Sequence, residues 1–240
     1  MVATSHSVGL MASTRTTPTL PSQGQIGTAF NPQQQPEFLH LWTGFYYGEM
    51  AATELSERLA DMAPDRQLQR FSAETHHHDE QWHADVFRML VNELPDTPDM
   101  PAAPDWALDI IERVRTCNSY VELTIGSLVV EASAVFLLEL QSEFSGDLGH
   151  TFRKMLLQEK GHVAFATRYL RQRFQTGSAE EKRELRKLLL DTFRYMRDRI
   201  RPAFVELHLH PVLPLLGISA QDYRDRARLA SRSVLRSILR

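Results

Sequence analysis

The chain has 240 residues, enough for one large domain or two small ones, and 42% of them are hydrophobic. A formal net charge of −3 excludes a strong overall attraction to nucleic acid or to anionic membranes. The single cysteine excludes an intrachain disulfide and a thiolate-rich metal site, which is typical of a reducing compartment. We therefore expect a cytoplasmic protein with no secretory signal and no apolar run long enough to span a membrane.

Helical periodicity dominates the chain after a polar N-terminal segment. Residues 1–36 are rich in Ser, Thr, Gln, Pro and Gly and are predicted to be a disordered tail, which leaves 37–240 as an all-α domain. Helices are predicted from Glu37 to a break at 61–65, then at about 67–94, 105–143, 148–175 and 179–201, and from Ser219 or Ala220 to the C-terminus. Prolines and glycines predict loops at 95–105 and 203–217.

The strongest functional signal is a pair of Glu-x-x-His motifs, Glu80-Gln-Trp-His83 and Glu159-Lys-Gly-His162. On a helix, positions i and i+3 lie on one face, so each motif can bind one metal ion. If the first four predicted helices form two antiparallel hairpins, Glu49, Glu80, Glu131 and Glu159 all lie 13 to 16 residues from their turns. At ~1.5 Å per residue, the four carboxylates reach one level of the bundle, as in a two-metal carboxylate site.

Glu131 is the most informative of these acids because it interrupts the apolar run Leu-Val-Val-Glu-Ala-Ser-Ala-Val-Phe. A buried carboxylate costs several kcal/mol unless it is paired or bound to a metal. The alternative for Glu131 is a salt bridge to a buried arginine. For Glu49 the alternative is a solvated helix face, since Glu54 and Glu57 are near it in the sequence.

The remaining histidines are weaker candidates. His76 lies four residues before Glu80 on the same helical stripe and is either a seventh ligand, a hydrogen-bond donor to a ligand, or a packing residue. A further match, Glu74-Thr-His-His77, is predicted to face elsewhere. His208 and His210 precede a proline and are interpreted as surface residues.

Around these residues the chain resembles the ferritin-like di-iron carboxylate superfamily, over about residues 38–200. The two motifs look like the second and fourth helices of its oxygenase branch, and the spacing of Glu49, Glu80, Glu131 and Glu159 is similar to that in aldehyde-deformylating oxygenases. The segment Leu-Gly-Ile-Ser-Ala-Gln-Asp-Tyr is also similar to the start of their last helix. An extra histidine is a feature of p-aminobenzoate N-oxygenases, but on their fourth helix, where this chain has Met155.

The resemblance implies a ferritin-like four-helix bundle with additional C-terminal helices, holding two iron ions (Fe²⁺/Fe³⁺), with manganese as an alternative. Glu80 or Glu131 and Glu159 would bridge the ions, with His83 on one and His162 on the other. The expected function is a monooxygenase or oxidase that uses O2 to hydroxylate, N-oxygenate or cleave a small, largely apolar substrate. A non-catalytic iron-binding or peroxide-scavenging protein is the alternative.

The sequence also restricts the source of electrons and indicates candidate residues for the substrate pocket. One cysteine cannot form a rubredoxin-like centre, so electrons must come from an external reductase or from the substrate. Small residues beside Glu131, with Phe45, Tyr46, Phe136 and Phe165, are candidates for an apolar pocket. Acids interspersed in the arginine-rich stretch 171–201 favour a solvated face over RNA binding, and residues 42–47 with the last helix are candidate homodimer surfaces.

Overall fold

A computed structural model describes residues 35–94, 100–144 and 146–240, and most of these residues are helical, with no strand within the ranges. The helices are α1 (Gln35–Met62), α2 (Arg66–Phe71), α3 (His77–Asn92), α4 (Asp105–Thr116), α5 (Tyr120–Gln141), α6 (Gly146–Thr176), α7 (Ala179–Tyr195), α8 (Arg201–Phe204) and α9 (Ala220–Ile238). The all-α prediction is confirmed. The predicted disordered tail lies outside the described residues, apart from residues 35 and 36, with which α1 begins.

The long helices pack in pairs, α1 along α3 and α5 along α6, and α1 also contacts α5. The turn after α1 is closed by Asp65, whose carboxylate accepts a hydrogen bond from the backbone N–H of Leu68. From α2 the chain passes through a π-helical turn, Ser72–His76, directly into α3. The main apolar core lies between α1, α3, α5 and α6, with Trp42, Phe87 and Phe152 fully buried.

The single helix predicted at 105–143 is wrong, because the chain breaks between α4 and α5. Cys117 and Ser119 are extended, with ψ of 131° and 115°. The Ser119 hydroxyl then accepts a hydrogen bond from the backbone N–H of Glu122 and caps α5. The run Cys-Asn-Ser carries this signal, but the apolar periodicity on either side hid it.

The predicted helix end at Pro202 is also wrong. Two π-helical turns, Met196–Ile200 and Val205–Leu209, flank the short helix α8, so the chain stays helical to Leu209. Proline lacks an N–H and its ring crowds the carbonyl four residues earlier, which ordinarily ends a helix. A wider turn on each side of the proline accommodates it without a break. The predicted start of the last helix is confirmed, since Ser219 caps α9.

The expectation that no apolar run reaches the length of a membrane span is wrong for α5. This helix has 22 residues and a mean hydropathy of 1.8, which suffices by length and composition. A single helix of this kind is weak evidence of a span, because the core helix of a globular protein passes the same test. Here α5 packs against α1, α6, α7 and α9 and buries Glu131 near its middle.

His208 is buried, so the surface interpretation is wrong for it, although it holds for the exposed His210. His208 Nδ1 donates to the carbonyl of His40 over 2.7 Å, and its Nε2 accepts from Trp106 Nε1 over 3.1 Å. The C-terminal segment is thereby tied to α1 and α4. Gly44 permits this approach, because a Cβ there would lie 2.6 Å from His208 Cγ.

The prediction that residues 42–47 form a homodimer surface is wrong for the first half of this segment. Trp42 and Phe45 are 0% and 5% exposed and belong to the core. Trp42 Nε1 donates to Gln141 Oε1 over 3.1 Å. The last helix, α9, packs against α5 and α6, so part of its apolar side is also covered within the chain.

Replacing Gly44 by alanine is expected to destabilise the protein relative to Gly48→Ala on the same helix. Both changes gain the same helix propensity, about 1 kcal/mol. Only the first forces the His208 ring aside, since nothing lies within 4 Å of a Cβ at Gly48. We expect Gly44→Ala to unfold with a free energy about 1–3 kcal/mol below that of Gly48→Ala in denaturant titrations. Equal stabilities would contradict the tight contact.

Candidate metal centre

The structure brings the seven residues singled out in the sequence together in the interior. They form two groups, each with ligand atoms within 4.8 Å of one another. The Glu49 group is Glu49, Glu80, His83 and Glu159, and the His76 group is His76, Glu80, Glu131 and His162. Glu80 belongs to both, and all seven side chains are buried. Both groups could therefore hold a metal ion, with the Glu80 carboxylate between them.

In the Glu49 group, one imidazole nitrogen faces three carboxylates. His83 Nδ1 lies 3.1 Å from Glu159 Oε1, 3.3 Å from Glu80 Oε2 and 3.5 Å from Glu49 Oε2. The acids come from α1, α3 and α6, so helix pairing assembles the group. Three carboxylates and one imidazole make an oxygen-rich donor set.

The His76 group has two imidazoles and two carboxylates. His76 Nε2 lies 3.0 Å from both Glu80 Oε1 and Glu131 Oε1, and His162 Nδ1 lies 3.1 Å from Glu80 Oε1. The centroids of the His76 and His162 rings are 4.4 Å apart. The Ser127 hydroxyl, one turn before Glu131 on α5, donates to Glu131 Oε1 and orients that carboxylate.

Several of these atoms are buried without a hydrogen bond within the described part of the chain. They are His76 Nε2, His162 Nδ1, Glu80 Oε1, Glu131 Oε2 and Glu159 Oε2. His76 Nε2 and Glu80 Oε1 are only 3.0 Å apart, yet their angles are not those of a hydrogen bond. Native proteins rarely leave buried polar atoms unsatisfied, since each costs about 1–3 kcal/mol. Donor atoms that converge on a common point are what a bound cation requires, so the residues present fit a metal ion.

Burial and mutual proximity shift the acid–base properties of these groups. Burial, together with the Glu80 carboxylate, raises the pKa of Glu49 and Glu159. Burial alone would also raise the pKa of Glu80, but the imidazoles of His162, His76 and His83 lower it well below its usual value. Burial opposes protonation of the imidazoles, yet the surrounding carboxylates raise the pKa of His83 and His162 well above 6.5 and that of His76 to about 9.

Two residues that the sequence analysis did not identify hold the ligand histidines. His162 Nε2 contacts Asp79 Oδ2 at 3.2 Å, and His83 Nε2 contacts Gln158 Oε1 at 3.1 Å. The Gln158 amide in turn donates to Asp79 Oδ1 over 2.6 Å. This chain of contacts leaves Nδ1 of both histidines facing the carboxylates, and it is the kind of outer support that orients metal-ligating imidazoles. Their shared position directly before each motif glutamate was the available signal.

The π-helical turn at Ser72–His76 ends at the residue that enters the His76 group. Such turns often occur at functional sites, because they shift the register of the helix. Glu74, on the same turn, is exposed and pairs with Arg70, and His77 lies near Ser56 and Glu57. The Glu74-x-x-His77 match therefore lies outside both groups, as predicted, and His76 lies inside one of them.

An apolar cavity opens beside the two groups and reaches the carboxylates of Glu49, Glu80, Glu131 and Glu159. Its volume is about 90 Å³. Of the pocket residues expected from the sequence, Phe45 and the small residues Ser133 and Ala134 line it. Tyr46, Phe136 and Phe165 do not, and Phe165 stacks instead on Phe71 at 3.5 Å. The rest of the lining comes from α1, α4, α5, the segment 196–204 and Tyr223 of α9.

Comparison with known proteins gives no relative for this chain: no family model, no curated protein and no solved structure matches it.

The metal-free chain is expected to lose stability as the pH rises from 7 towards 9.5. The His76 pKa is about 9 in the folded chain and near 6.5 when unfolded, so the stabilisation is complete below pH 6.5 and is lost as the pH passes 9. We expect a loss on the order of 1–3 kcal/mol, measured by urea unfolding in the presence of a chelator. His76→Gln should flatten this pH dependence. A wild-type free energy of unfolding that is constant or rises over this pH range would contradict the raised pKa of His76.

Proposed function

We propose that this chain is a non-haem di-iron oxygenase or oxidase with a ferritin-like four-helix bundle. The observation that carries the proposal is Glu80, a fully buried carboxylate shared by two groups of ligand atoms. A glutamate from each of two helices, together with a Glu-x-x-His motif from each of the other two, is the ligand set of di-metal carboxylate bundles. In this chain α1 and α5 supply the single glutamates, and α3 and α6 supply the Glu-x-x-His motifs.

The donor set favours iron or manganese. Four carboxylates balance the charge of two divalent ions, and hard oxygen donors with some imidazole suit these metals. Zinc prefers a closed tetrahedral site richer in nitrogen or sulfur. The two groups are unequal, since one offers a single histidine and the other offers two.

The protein's own residues would orient the ligands and keep water out. Asp79 and Gln158 fix the rings of His162 and His83, and Ser127 fixes Glu131. Two ferrous ions, when bound, supply electrons to O2; in a hydroxylation one oxygen atom enters the substrate, the other leaves as water, and an external reductase supplies two electrons with two protons. The apolar lining beside the carboxylates would hold a small organic substrate next to this chemistry.

The cavity favours an oxygenase over the alternative, a non-catalytic iron-binding or peroxide-scavenging protein. Iron storage requires a polar route for the ion, whereas the cavity that reaches the four ligand glutamates is lined mainly by Phe45, Trp106, Leu137 and other apolar side chains. A water-poor pocket of this kind strengthens electrostatic interactions and limits side reactions.

Each single substitution of a ligand candidate should remove the metal ion of the group to which that residue belongs. Glu49→Ala should lose the ion of the Glu49 group, and Glu131→Ala or His162→Ala the ion of the His76 group. Glu80→Ala should lose both. Each change removes a direct ligand, so affinity should fall by more than about a hundredfold. Metal analysis after iron loading, with circular dichroism to verify the helices, measures this.

The matched control is Glu139→Ala, because Glu139 is an exposed residue of α5 that pairs with Lys160 at the surface. It should keep two ions per chain. Two ions retained in both Glu131→Ala and His162→Ala would rule out the assignment of the His76 group.

Oxygen reactivity separates the two candidate functions. Anaerobic loading with ferrous iron followed by mixing with O2 is expected to give a transient visible absorption band, and an organic substrate should accelerate its decay. Glu80→Ala should show no band. Oxygen uptake that no organic substrate changes, together with rapid consumption of hydrogen peroxide, would favour the peroxide-scavenging alternative. Zinc only, one metal per chain or none would contradict a di-iron site.

A further inference from the structure

Arg201 is the only cationic side chain among the residues that line the apolar cavity. It is half-buried and forms no ion pair or hydrogen bond through its guanidinium within the described ranges. Two other arginines near it in the sequence are paired, Arg194 with Asp191 at 3.1 Å and Arg197 with Asp198 at 2.5 Å, whereas Arg199 is exposed to solvent. A partly desolvated guanidinium without a counter-ion is unfavourable, so it is a ready partner for an anion.

A π-helical turn directs this residue to the cavity. The backbone N–H of Arg201 bonds to the carbonyl of Met196, five residues earlier, and this bond stacks Arg201 over Met196. Met196, Ile200, Arg201 and Phe204 consequently all reach the cavity from one side of the segment. In a plain α-helix Arg201 would lie about 140° around the axis from Met196.

Tyr223 provides a second polar group at this wall. Its side chain, from α9, lines the same cavity and is 2% exposed. Burial raises the pKa of Tyr223 while the charge of Arg201 acts in the opposite direction, so the phenol stays a neutral donor in the cavity that Arg201 also lines.

The other charges that line the cavity do not neutralise Arg201. The four glutamates are ligand candidates, and two divalent ions would balance them. The remaining lining residues carry no charge. With metals bound, the cavity therefore holds one uncompensated positive charge, and a monoanionic ligand would neutralise it.

We propose that the cavity takes a small apolar carboxylic acid, with its carboxylate on Arg201 and Tyr223 and its apolar body against the lining. That the acid is the compound oxidised rests on the proposed function. The planar guanidinium matches a carboxylate in a bidentate pair, and the phenol adds a third donor. A water occupies about 10–15 Å³ by the same measure of volume, so the 90 Å³ cavity admits roughly six to nine non-hydrogen atoms.

Binding of matched acids and amides tests the proposal without any oxidation step. Hexanoate and benzoate, compared with hexanamide and benzamide, are titrated calorimetrically into the chain in its metal-free and zinc-loaded forms. Zinc does not react with O2, so the result is independent of oxygenase activity. In the zinc-loaded form we expect both acids to bind at least about tenfold more tightly than their amides, as the loss of a charged hydrogen bond requires.

The variants locate the anion. Arg201→Gln should weaken binding of the acids about tenfold or more and change amide binding by less than about twofold. Tyr223→Phe should weaken the acids severalfold. Arg199→Gln is the matched control, because it removes an exposed charge two residues away that does not line the cavity, and it should leave binding unchanged.

Three results would overturn the proposal: acids and amides that bind equally, an Arg201→Gln variant that binds the acids like the wild type, or no binding of either acid in both forms. If the acids bind at Arg201 but do not change the reaction of the iron-loaded chain with O2, the acid site stands and these acids are not the compounds oxidised; the proposed function itself fails only in the metal-content and O2 experiments described for it.

Discussion

Four carboxylates and three imidazoles meet in the interior of this chain, and the need to neutralise them governs the rest of the structure. Neither kind of group is stable in an apolar interior unless it is paired or bound to a cation. In the metal-free chain the imidazoles carry protons and act as the counter-ions of the glutamates, which is why their pKa values rise. A metal ion bound by these groups would take the place of those protons, so metal binding and deprotonation would be one equilibrium.

The two helix pairs and the C-terminal segment have different tasks. The pairs α1/α3 and α5/α6 carry the ligands, and their packing sets the distances between acids that are far apart in the sequence. The segment from Met196 onward supplies one wall of the cavity and is tied down by His208, which bonds to α1 through the His40 carbonyl and to α4 through Trp106. Ligand geometry and pocket chemistry can thus vary independently.

The sequence predicted which acids and histidines lie together better than it predicted the helix boundaries. Glu80, His83, Glu159 and His162 follow from helical spacing, and Glu49 and Glu131 from equal distance to the turns, because both depend only on helix geometry. The α4–α5 break and the continuation through Pro202 depend on local backbone choices that apolar periodicity does not report.

Contacts between distant parts of the chain were the least predictable. Gln158 on α6 donates a hydrogen bond to Asp79 on α3. The burial of His208 depends on the absence of a side chain at Gly44. No spacing rule reports such pairs, and these contacts were found only in the folded chain. His76, the seventh ligand candidate, was partly predictable. Helical spacing places it on the same face as Glu80, but the sequence does not decide whether it is a ligand or a packing residue.

The π-helical turn at Ser72–His76 also bears on how this chain can change over time. Such a turn holds one residue more than an α-helical turn, so deleting a residue before His76 would convert it to α-helix and leave α3 with its acids and histidines in place. Because the wider turn already contains the extra residue, its removal would leave the orientation of α2 relative to α3 nearly unchanged. Insertions and deletions in that turn can therefore be absorbed ahead of the buried acids and histidines of α3, and the length of the turn can change while those groups keep their register.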